Sequence, residues 1–216
     1  MIDKTIWIGY DPQFSDNLSV QLESIRQHSS DYSIKILNLA ELGHILTRPR
    51  DTKQSTDSAF TRWLIPYLSN YTGWHLYMDS DMMVRKDLNQ LWKLKDPTKS
   101  VMVVKHPNID QVEVKFNNKQ QSNYNRKNWS SLMLFNSERC SKLTPDYVNQ
   151  ATGLDLHQFV WTNDELIGDL PKEWNHLVGV DQPNSDVAIV HWTLGGPWFD
   201  DYKNVEYSKE WHSVNV

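Results

Sequence analysis

The segment at residues 74–84, WHLYMDSDMMV, constrains the fold of this chain more than any other stretch. Its first five residues are mostly apolar, which is typical of a buried strand. The strand stops at an Asp-Ser-Asp turn, residues 79–81, and a second short apolar run follows at once. Ligands of open α/β sheets bind outside the carboxyl ends of the strands. We therefore expect the two aspartates to lie at a ligand-binding edge of a sheet.

Asp79 and Asp81 are predicted to hold a divalent cation. Alternate residues of an extended backbone point the same way, so the two carboxylates can converge while Ser80 points elsewhere. Hard oxygen ligands suit Mg²⁺, Ca²⁺ or Mn²⁺. A calcium EF-hand loop is excluded, because its sixth position would be Val84, where glycine is required. The alternative is an acidic turn in which one aspartate caps a helix.

His191 is the predicted third ligand. It ends a second apolar strand, VAIVH, and we expect it to emerge at the same edge of the sheet as Asp81. An imidazole beside two carboxylates favours Mn²⁺ over Ca²⁺ or Mg²⁺; a structural histidine is the alternative. Gly195 and Gly196 follow, where the backbone can approach a ligand closely and offer N–H groups to phosphate oxygens. Their alternative is an ordinary turn.

The order of apolar segments predicts an α/β fold with a Rossmann-like, mixed but mostly parallel sheet flanked by helices. The chain opens with a strand at 6–9, a helix after Ser15 and a strand at 33–39, an order that favours parallel pairing. No GxGxxG motif follows the first strand, which argues against a dinucleotide fold. No linker or repeat divides the chain, so residues 1–216 are predicted to form a single domain. Further elements are predicted as helices at 59–71, 87–94, 144–150 and 164–169 and strands at 100–105, 132–135 and 187–190.

Irregular stretches separate these elements. Residues 47–58 are polar and are predicted to be a surface loop. Residues 106–128 form a hydrophilic, exposed insertion, with a hairpin around 112–116 as one option, and the tail from 195 to 216 has little periodicity. Pro66 predicts a kink or a break in the helix that contains it.

Composition limits the functional classes. The net charge is −5 and no run of Lys and Arg supplies a basic patch, so nucleic acid is a disfavoured partner. The single cysteine, Cys140, excludes an internal disulfide and a cysteine-based metal cluster. No apolar run reaches the roughly 20 residues that span a bilayer, and the N-terminus lacks a secretory pattern, so we expect a cytoplasmic protein. The ten tryptophans and nine tyrosines fit either an aromatic core or a sugar-binding pocket.

Several segments, in this order, resemble glycosyltransferase family 8, the glycogenin-like enzymes with a GT-A fold. FTRWLIPYL and WHLYMDSDMMV are similar to the family's arginine-bearing helix and to the strand with its DxD motif. NWSSLMLFN and NDELIGDLPKEWN are similar to its Asn-Ser-Gly strand and to its Asp-Gln loop with the Trp-Asn beyond. VHWTLGGPW is similar to the late segment that carries His, Gly and Pro-Trp.

The resemblance implies a retaining enzyme that moves a hexose from a UDP-sugar, with UDP-glucose or UDP-galactose favoured, to an unidentified acceptor. It implies that Asp79, Asp81 and His191 ligate Mn²⁺, with Mg²⁺ as the alternative, and that the ion bridges the donor diphosphate. The resemblance also implies that Tyr10 and Asp11 contact uracil and ribose, and that Ser80 contacts the donor. It implies that Arg62 contacts the phosphate or the donor sugar, and that the diphosphate is contacted by Gly195, Gly196 and Trp198. Finally, it implies that Asp164 and Glu165 lie beside the donor sugar and the acceptor hydroxyl.

The chain departs from the family pattern at two places. The family has a lysine just before Pro-Trp, which neutralises the leaving phosphate; Gly196 stands there, and Lys203 is the candidate substitute. Trp129 and Ser131 stand where the family has asparagine and glycine, so the role of that asparagine is not assigned to Asn128.

Two other functions use the same residues. A metal-dependent nucleotidyltransferase or sugar-phosphate enzyme would use the carboxylates, and a nucleotidyltransferase would release pyrophosphate instead of UDP. A non-catalytic carbohydrate-binding module would bind free sugar through its aromatic side chains and would hydrolyse no UDP-sugar.

Overall fold

The computed structural model describes residues 4–50, 54, 56–107 and 125–214. The strands within these ranges are β1 (Thr5–Gly9), β2 (Ser33–Leu37), β3 (Trp74–Asp79), β4 (Met82–Val84), β5 (Val101–Val103), β6 (Leu132–Asn136), β7 (Ile167–Asp169), β8 (His176–Leu177) and β9 (Ile189–His191). The α-helices there are α1 (Ser15–His28), α2 (Leu39–Leu42), α3 (Ser58–Thr61), α4 (Ile65–Leu68), α5 (Leu88–Trp92), α6 (Pro145–Gln150), α7 (Gly153–His157) and α8 (Ser208–Ser213).

The described strands form a six-stranded central sheet, in the order β2-β1-β3-β6-β5-β7, and a small sheet, β4-β9-β8. In the central sheet β1 runs parallel to β2 and β3, and β5 runs parallel to β7. Only β6 runs against its neighbours β3 and β5. The predicted mixed, mostly parallel α/β sheet is therefore confirmed.

Successive residues of the central strands enter two different cores. Trp7 and Tyr77 pack with Trp63 on one face of the sheet, whereas Ile8 and Met78 pack with the core on the other face. Side chains of a strand alternate between faces. Because both faces are buried, these strands are nearly continuous apolar runs, as is usual for parallel sheets.

The helix predicted around Pro66 is broken, as expected. The chain forms α3, then a 3-10 turn over Arg62–Leu64, then α4, with Pro66 in the first turn of α4. A proline is tolerated there because the first N–H groups of a helix have no intrahelical partner. Arg62 is the first residue of the 3-10 turn.

One other local prediction was wrong. Residues 164–169 are not a helix: a 3-10 turn over Asp164–Leu166 leads into β7, which pairs with β5. Pairing with a buried neighbour overrides the local pattern of so short a segment. α7 and α8 were not predicted, because helices of one or two turns show little periodicity. The hairpin suggested at 112–116 lies outside the described residues.

Cys140 is buried in the core and forms no disulfide. Along the described parts of the chain, every helix is too short or too polar to cross a membrane.

Candidate active site

The Asp-Ser-Asp turn lies between β3 and β4, where the chain leaves the central sheet and enters the small one. Buried polar residues of α1 hold its backbone in place. Gln21 donates to the Asp79 carbonyl at 2.8 Å, and Asn17 donates to the Ser80 carbonyl. Ser24 accepts from the Val84 N–H at 3.0 Å. Sequence reasoning missed this stripe, although its i, i+4, i+7 spacing places it on one helix face.

His191 reaches the turn by a route that differs from the predicted one. It lies at the end of β9, which belongs to the small sheet and not to the central sheet. β9 is antiparallel to β4, and the register pairs His191 with Met82, the residue that follows Asp81. Proximity therefore comes from direct strand pairing and not from a shared sheet edge.

Asp79, Asp81 and His191 converge as predicted. Each offers a ligand atom within 4.8 Å of the other two, and Asp81 Oδ1 lies 3.3 Å from His191 Nε2. Ligand atoms around one octahedral ion at about 2.1 Å lie about 3.0–4.2 Å apart. The spacing and the oxygen and imidazole donors therefore fit a divalent cation such as Mn²⁺ or Mg²⁺.

Arg62 is the main partner of Asp79. Its guanidinium lies 2.8 Å from Asp79 Oδ1 and 3.4 Å from Oδ2, and it also donates to the Ser130 carbonyl at 2.8 Å. The Tyr77 hydroxyl donates to Asp79 Oδ1 at 2.5 Å. Burial raises the pKa of the Asp79 carboxyl, Arg62 opposes that rise, and the charge of Asp81 reinforces it. A cation between the carboxylates would relieve this repulsion.

Arg62 and the three converging residues line a cavity of about 120 Å³. Among the residues assigned from sequence, Arg62, Asp79, Ser80, Asp81 and His191 line it. The residues that sequence reasoning missed are Phe14, Thr56, Ser58, Ala59, Asn128, Ser130, Ser131, His157 and Thr193. Among the described residues no tryptophan or tyrosine lines this cavity, whereas six tryptophans are buried in the cores: Trp7, Trp63, Trp92, Trp161, Trp174 and Trp192.

Asn128 enters the cavity from a turn that the sequence assigned to no role. It adopts a positive φ of 65°, which asparagine tolerates better than most residues. Its side-chain oxygen accepts from the Thr193 hydroxyl at 3.3 Å. Its amide nitrogen is buried and has no hydrogen-bond partner within the described ranges.

Ser130 and His157 form a second polar pair in the cavity wall. Ser130 Oγ lies 2.7 Å from His157 Nδ1. Burial, with the nearby charge of Arg62, lowers the pKa of His157 to about 3. The ring is therefore neutral at physiological pH, and one hydrogen bond joins Nδ1 to the serine hydroxyl.

Several predicted site residues lie outside the cavity wall. Asp164 is exposed and forms a 2.6 Å ion pair with Arg126, and Glu165 is exposed. Lys203 pairs with Asp200 at 2.8 Å on the surface, so the structure does not place its charge where the family lysine is expected.

Tyr10 and Asp11 also lie outside the wall. The Asp11 carboxylate is buried and accepts from the backbone N–H groups of Gln13 and Asp57, each at 2.9 Å. In this structure it therefore caps a turn and fastens the segment before α3, next to the cavity.

Gly195 and Gly196 are required by the aromatic side chains that follow them. A Cβ on Gly196 would lie 2.2 Å from the Trp198 ring, and a Cβ on Gly195 would lie 2.8 Å from the Tyr202 ring. Gly195 also has a φ of +143°, which side-chain-bearing residues rarely adopt. Trp198 packs edge-on against Phe14 of the cavity wall, with ring centroids 5.9 Å apart. The glycine that replaces the family lysine thus makes room for this tryptophan.

Comparison with known proteins agrees with this geometry. The family model "Glycosyl transferase family 8" matches residues 9–144. Protein CDI of Arabidopsis thaliana is 36% identical over 218 residues, covering 95% of this chain and 83% of the relative.

Solved structures show the same fold. The apo bifunctional glycosyltransferase WbbM matches with a TM-score of 0.67 at 14% identity, over 97% of this chain but only 49% of its own. The galactosyltransferase LgtC, solved with donor and acceptor sugar analogues, matches with a TM-score of 0.60 at 12% identity, over 97% of this chain and 94% of its own. This chain thus spans about half the length of WbbM. The chain belongs to glycosyltransferase family 8 and is a glycosyltransferase with a GT-A fold.

Proposed function

We propose that this glycosyltransferase moves a hexose from a UDP-sugar to an acceptor hydroxyl with retention of the anomeric configuration, and that it uses Mn²⁺, with Mg²⁺ as the alternative. UDP-glucose and UDP-galactose are the favoured donors. The observation that carries the proposal is the convergence of Asp79, Asp81 and His191 at the wall of a polar cavity. The fold likeness to LgtC, which was solved with donor and acceptor sugar analogues, supports it. We further propose that residues 1–216 act as one domain.

Asp79, Asp81 and His191 would hold the cation against the donor diphosphate. A divalent ion bound there supplies Lewis-acid stabilisation of the negative charge that develops on the leaving group. Arg62 orients Asp79 through their ion pair and also lines the cavity. Its positive charge is largely buried, and a fixed charge acts more strongly there than in water. No lysine lines the described cavity wall, so the proposal assigns most charge neutralisation to the metal site.

Other polar groups that line the cavity would orient the sugar. The unpaired amide nitrogen of Asn128 suits an oxygen of the donor, and we propose it as a donor-binding residue. The Ser130 hydroxyl is held by neutral His157 and keeps at least one lone pair, which can accept from a sugar hydroxyl. Use of Asp164 beside the acceptor requires that its ion pair with Arg126 open.

Calorimetric titration of the purified protein with UDP-glucose and UDP-galactose, with and without Mn²⁺, tests the proposal. We expect Mn²⁺-dependent binding of the donor and Mn²⁺-dependent release of UDP. Asp81→Asn should abolish both, while Asp146→Asn, an exposed carboxylate on α6, should leave both unchanged. Donor binding that survives chelation or Asp81→Asn would overturn the metal-bridged site, and release of pyrophosphate would instead favour a nucleotidyltransferase.

A further inference from the structure

We propose that Asn175 is a positioning residue that fixes the tautomer of His191 and so makes its Nε2 atom a metal ligand. The inference rests on the metal site of the proposed function. Asn175 Oδ1 lies 2.9 Å from His191 Nδ1. Both side chains are buried, at 0% and 2% exposure, so water cannot replace either partner.

Strand pairing brings the two residues together. Asn175 ends the 3-10 turn over Lys172–Asn175 that leads into β8. β8 is parallel to β9, and its register pairs His176 with Val190. Asn175 therefore lies beside β9, and its side chain is on the same face of the small sheet as the side chain of His191.

The orientation of the Asn175 amide follows from its other partners. Its Nδ2 group lies 2.9 Å from Ser131 Oγ and 3.4 Å from the Asn128 carbonyl. A carbonyl only accepts, and Ser131 Oγ already donates to that carbonyl at 2.7 Å. The nitrogen must therefore face this turn, which leaves Oδ1 facing His191.

An amide oxygen can only accept, so His191 Nδ1 must carry the proton. Nε2 then presents its lone pair 3.3 Å from Asp81 Oδ1. Two acceptors at this distance are stabilised by a cation placed between them. In the other tautomer, Nε2 would carry the proton and donate it to Asp81. Neither His191 Nε2 nor Asp81 Oδ1 could then bind a metal ion.

Asn175 also differs from the carboxylate that often supports a metal-bound histidine. A neutral amide fixes the ring without adding a third negative charge to Asp79 and Asp81. Because its nitrogen binds the Asn128–Ser131 turn, the same side chain joins His191 to another segment that lines the cavity.

Nitrogen-15 NMR of the histidine rings in the metal-free protein tests the tautomer directly. We expect His191 to be in the Nδ1–H form, with its signals assigned by their loss in His191→Asn. In Asn175→Leu the Nε2–H form should become dominant, because Asp81 is then its remaining acceptor. An Nε2–H tautomer in the wild-type protein would overturn the proposal.

Calorimetry with Mn²⁺ alone tests the consequence. Loss of a group that orients a metal ligand costs 10–100-fold in metal affinity, and we expect this loss for Asn175→Leu. Asn175→Asp keeps the acceptor for His191 but loses the amide donor to the Asn128–Ser131 turn, so we expect it to lose less than about tenfold in affinity, even if Asn175→Leu does not fold. Asn136→Leu is the matched control: Asn136 is a buried amide at the far end of β6, and its replacement should leave Mn²⁺ affinity unchanged.

The outcomes separate the two proposals. If the wild-type protein binds no Mn²⁺, the proposed metal site fails, whatever the tautomer of His191. If the wild-type protein binds Mn²⁺ and folded Asn175→Leu binds it equally well, or Asn175→Asp binds it as weakly as Asn175→Leu, only the role of Asn175 fails.

Discussion

At the scale of single residues, the ion pair between Arg62 and Asp79 holds the first carboxylate of the proposed metal site in place. Only 6% of the Arg62 side chain and 20% of the Asp79 side chain are exposed. Removing one partner of a buried ion pair leaves the other charge uncompensated. Arg62→Gln should therefore lower the free energy of unfolding by about 2–4 kcal/mol in metal-free buffer. Urea unfolding in the presence of EDTA measures this change.

The matched control for that substitution is Arg26→Gln. Arg26 forms an exposed i,i+3 pair with Glu23 at 3.7 Å, and such surface pairs contribute little. We expect its unfolding free energy to stay within about 0.5 kcal/mol of wild type. Equal losses in the two variants would mean that Arg62 has no special role in the site.

The Trp198 ring leaves no room at position 196 for the lysine that the family has there. Restoring the family lysine as Gly196→Lys puts a Cβ within 2.2 Å of the Trp198 ring. The ring must then move from its contact with Phe14, at a cost of about 1–3 kcal/mol for overpacking. Thermal unfolding and tryptophan fluorescence should both change. Gly43→Ala, whose Cβ would meet its nearest atom at 3.8 Å, is the control and should be neutral.

At the scale of elements, α1 supports the Asp-Ser-Asp turn of the proposed metal site through its buried polar face. Gln21 is fully buried and donates to the Asp79 carbonyl. Gln21→Leu keeps the size of the side chain but leaves that carbonyl without this donor, so we expect a loss of about 1–3 kcal/mol in unfolding free energy. The loosened turn should also weaken Mn²⁺ binding, as calorimetry would show.

The same helix provides the control. Gln27 is exposed, and its amide donates to Glu23 one turn away. Gln27→Leu should change the unfolding free energy by less than about 0.5 kcal/mol and leave Mn²⁺ affinity unaltered. If both variants lost Mn²⁺ affinity equally, the effect would belong to the helix and not to its contact with Asp79.

Elements with a strong local pattern could be predicted from the sequence, and so could the convergence of the polar side chains at their ends. β3 and the chain leading into β9 are apolar runs, and Asp79 and His191 each end one of them. The sheet that carries His191 was mistaken, because a three-residue strand does not show its partners. Asn175 and His157 could not be found either. Each lies in or next to a short turn, and its role comes from contacts 16 and 27 residues away along the chain.

At the scale of the whole molecule, the cavity lies where the two sheets meet. β3 brings Asp79 from the central sheet, β9 brings His191 from the small sheet, and the entry to β6 brings the turn that Asn175 holds. The site is therefore stable only while both sheets keep their relative positions. Buried neutral histidines at this junction, His157 and His106, make that arrangement sensitive to acid.

Burial lowers the pKa of His157 to about 3 and that of His106 to about 4. An unfolded chain protonates the same rings near pH 6.5. Below that pH the unfolded state binds more protons, so the free energy of unfolding should fall by about 1.4 kcal/mol per pH unit for each ring until pH 4 to 3. Urea unfolding of metal-free protein at pH 7, 6, 5 and 4.5 measures the slope.

His157→Gln isolates the contribution of one ring. Glutamine does not titrate and can still accept from Ser130, so the variant should lose less stability than wild type between pH 6.5 and 4.5, by about 2–3 kcal/mol. His44→Gln is the control, because that side chain is exposed, and its slope should match wild type. A His157→Gln slope equal to that of wild type would show that this ring is not held neutral by the fold. Burial beside Arg62 would then not be enough to lower the pKa of His157.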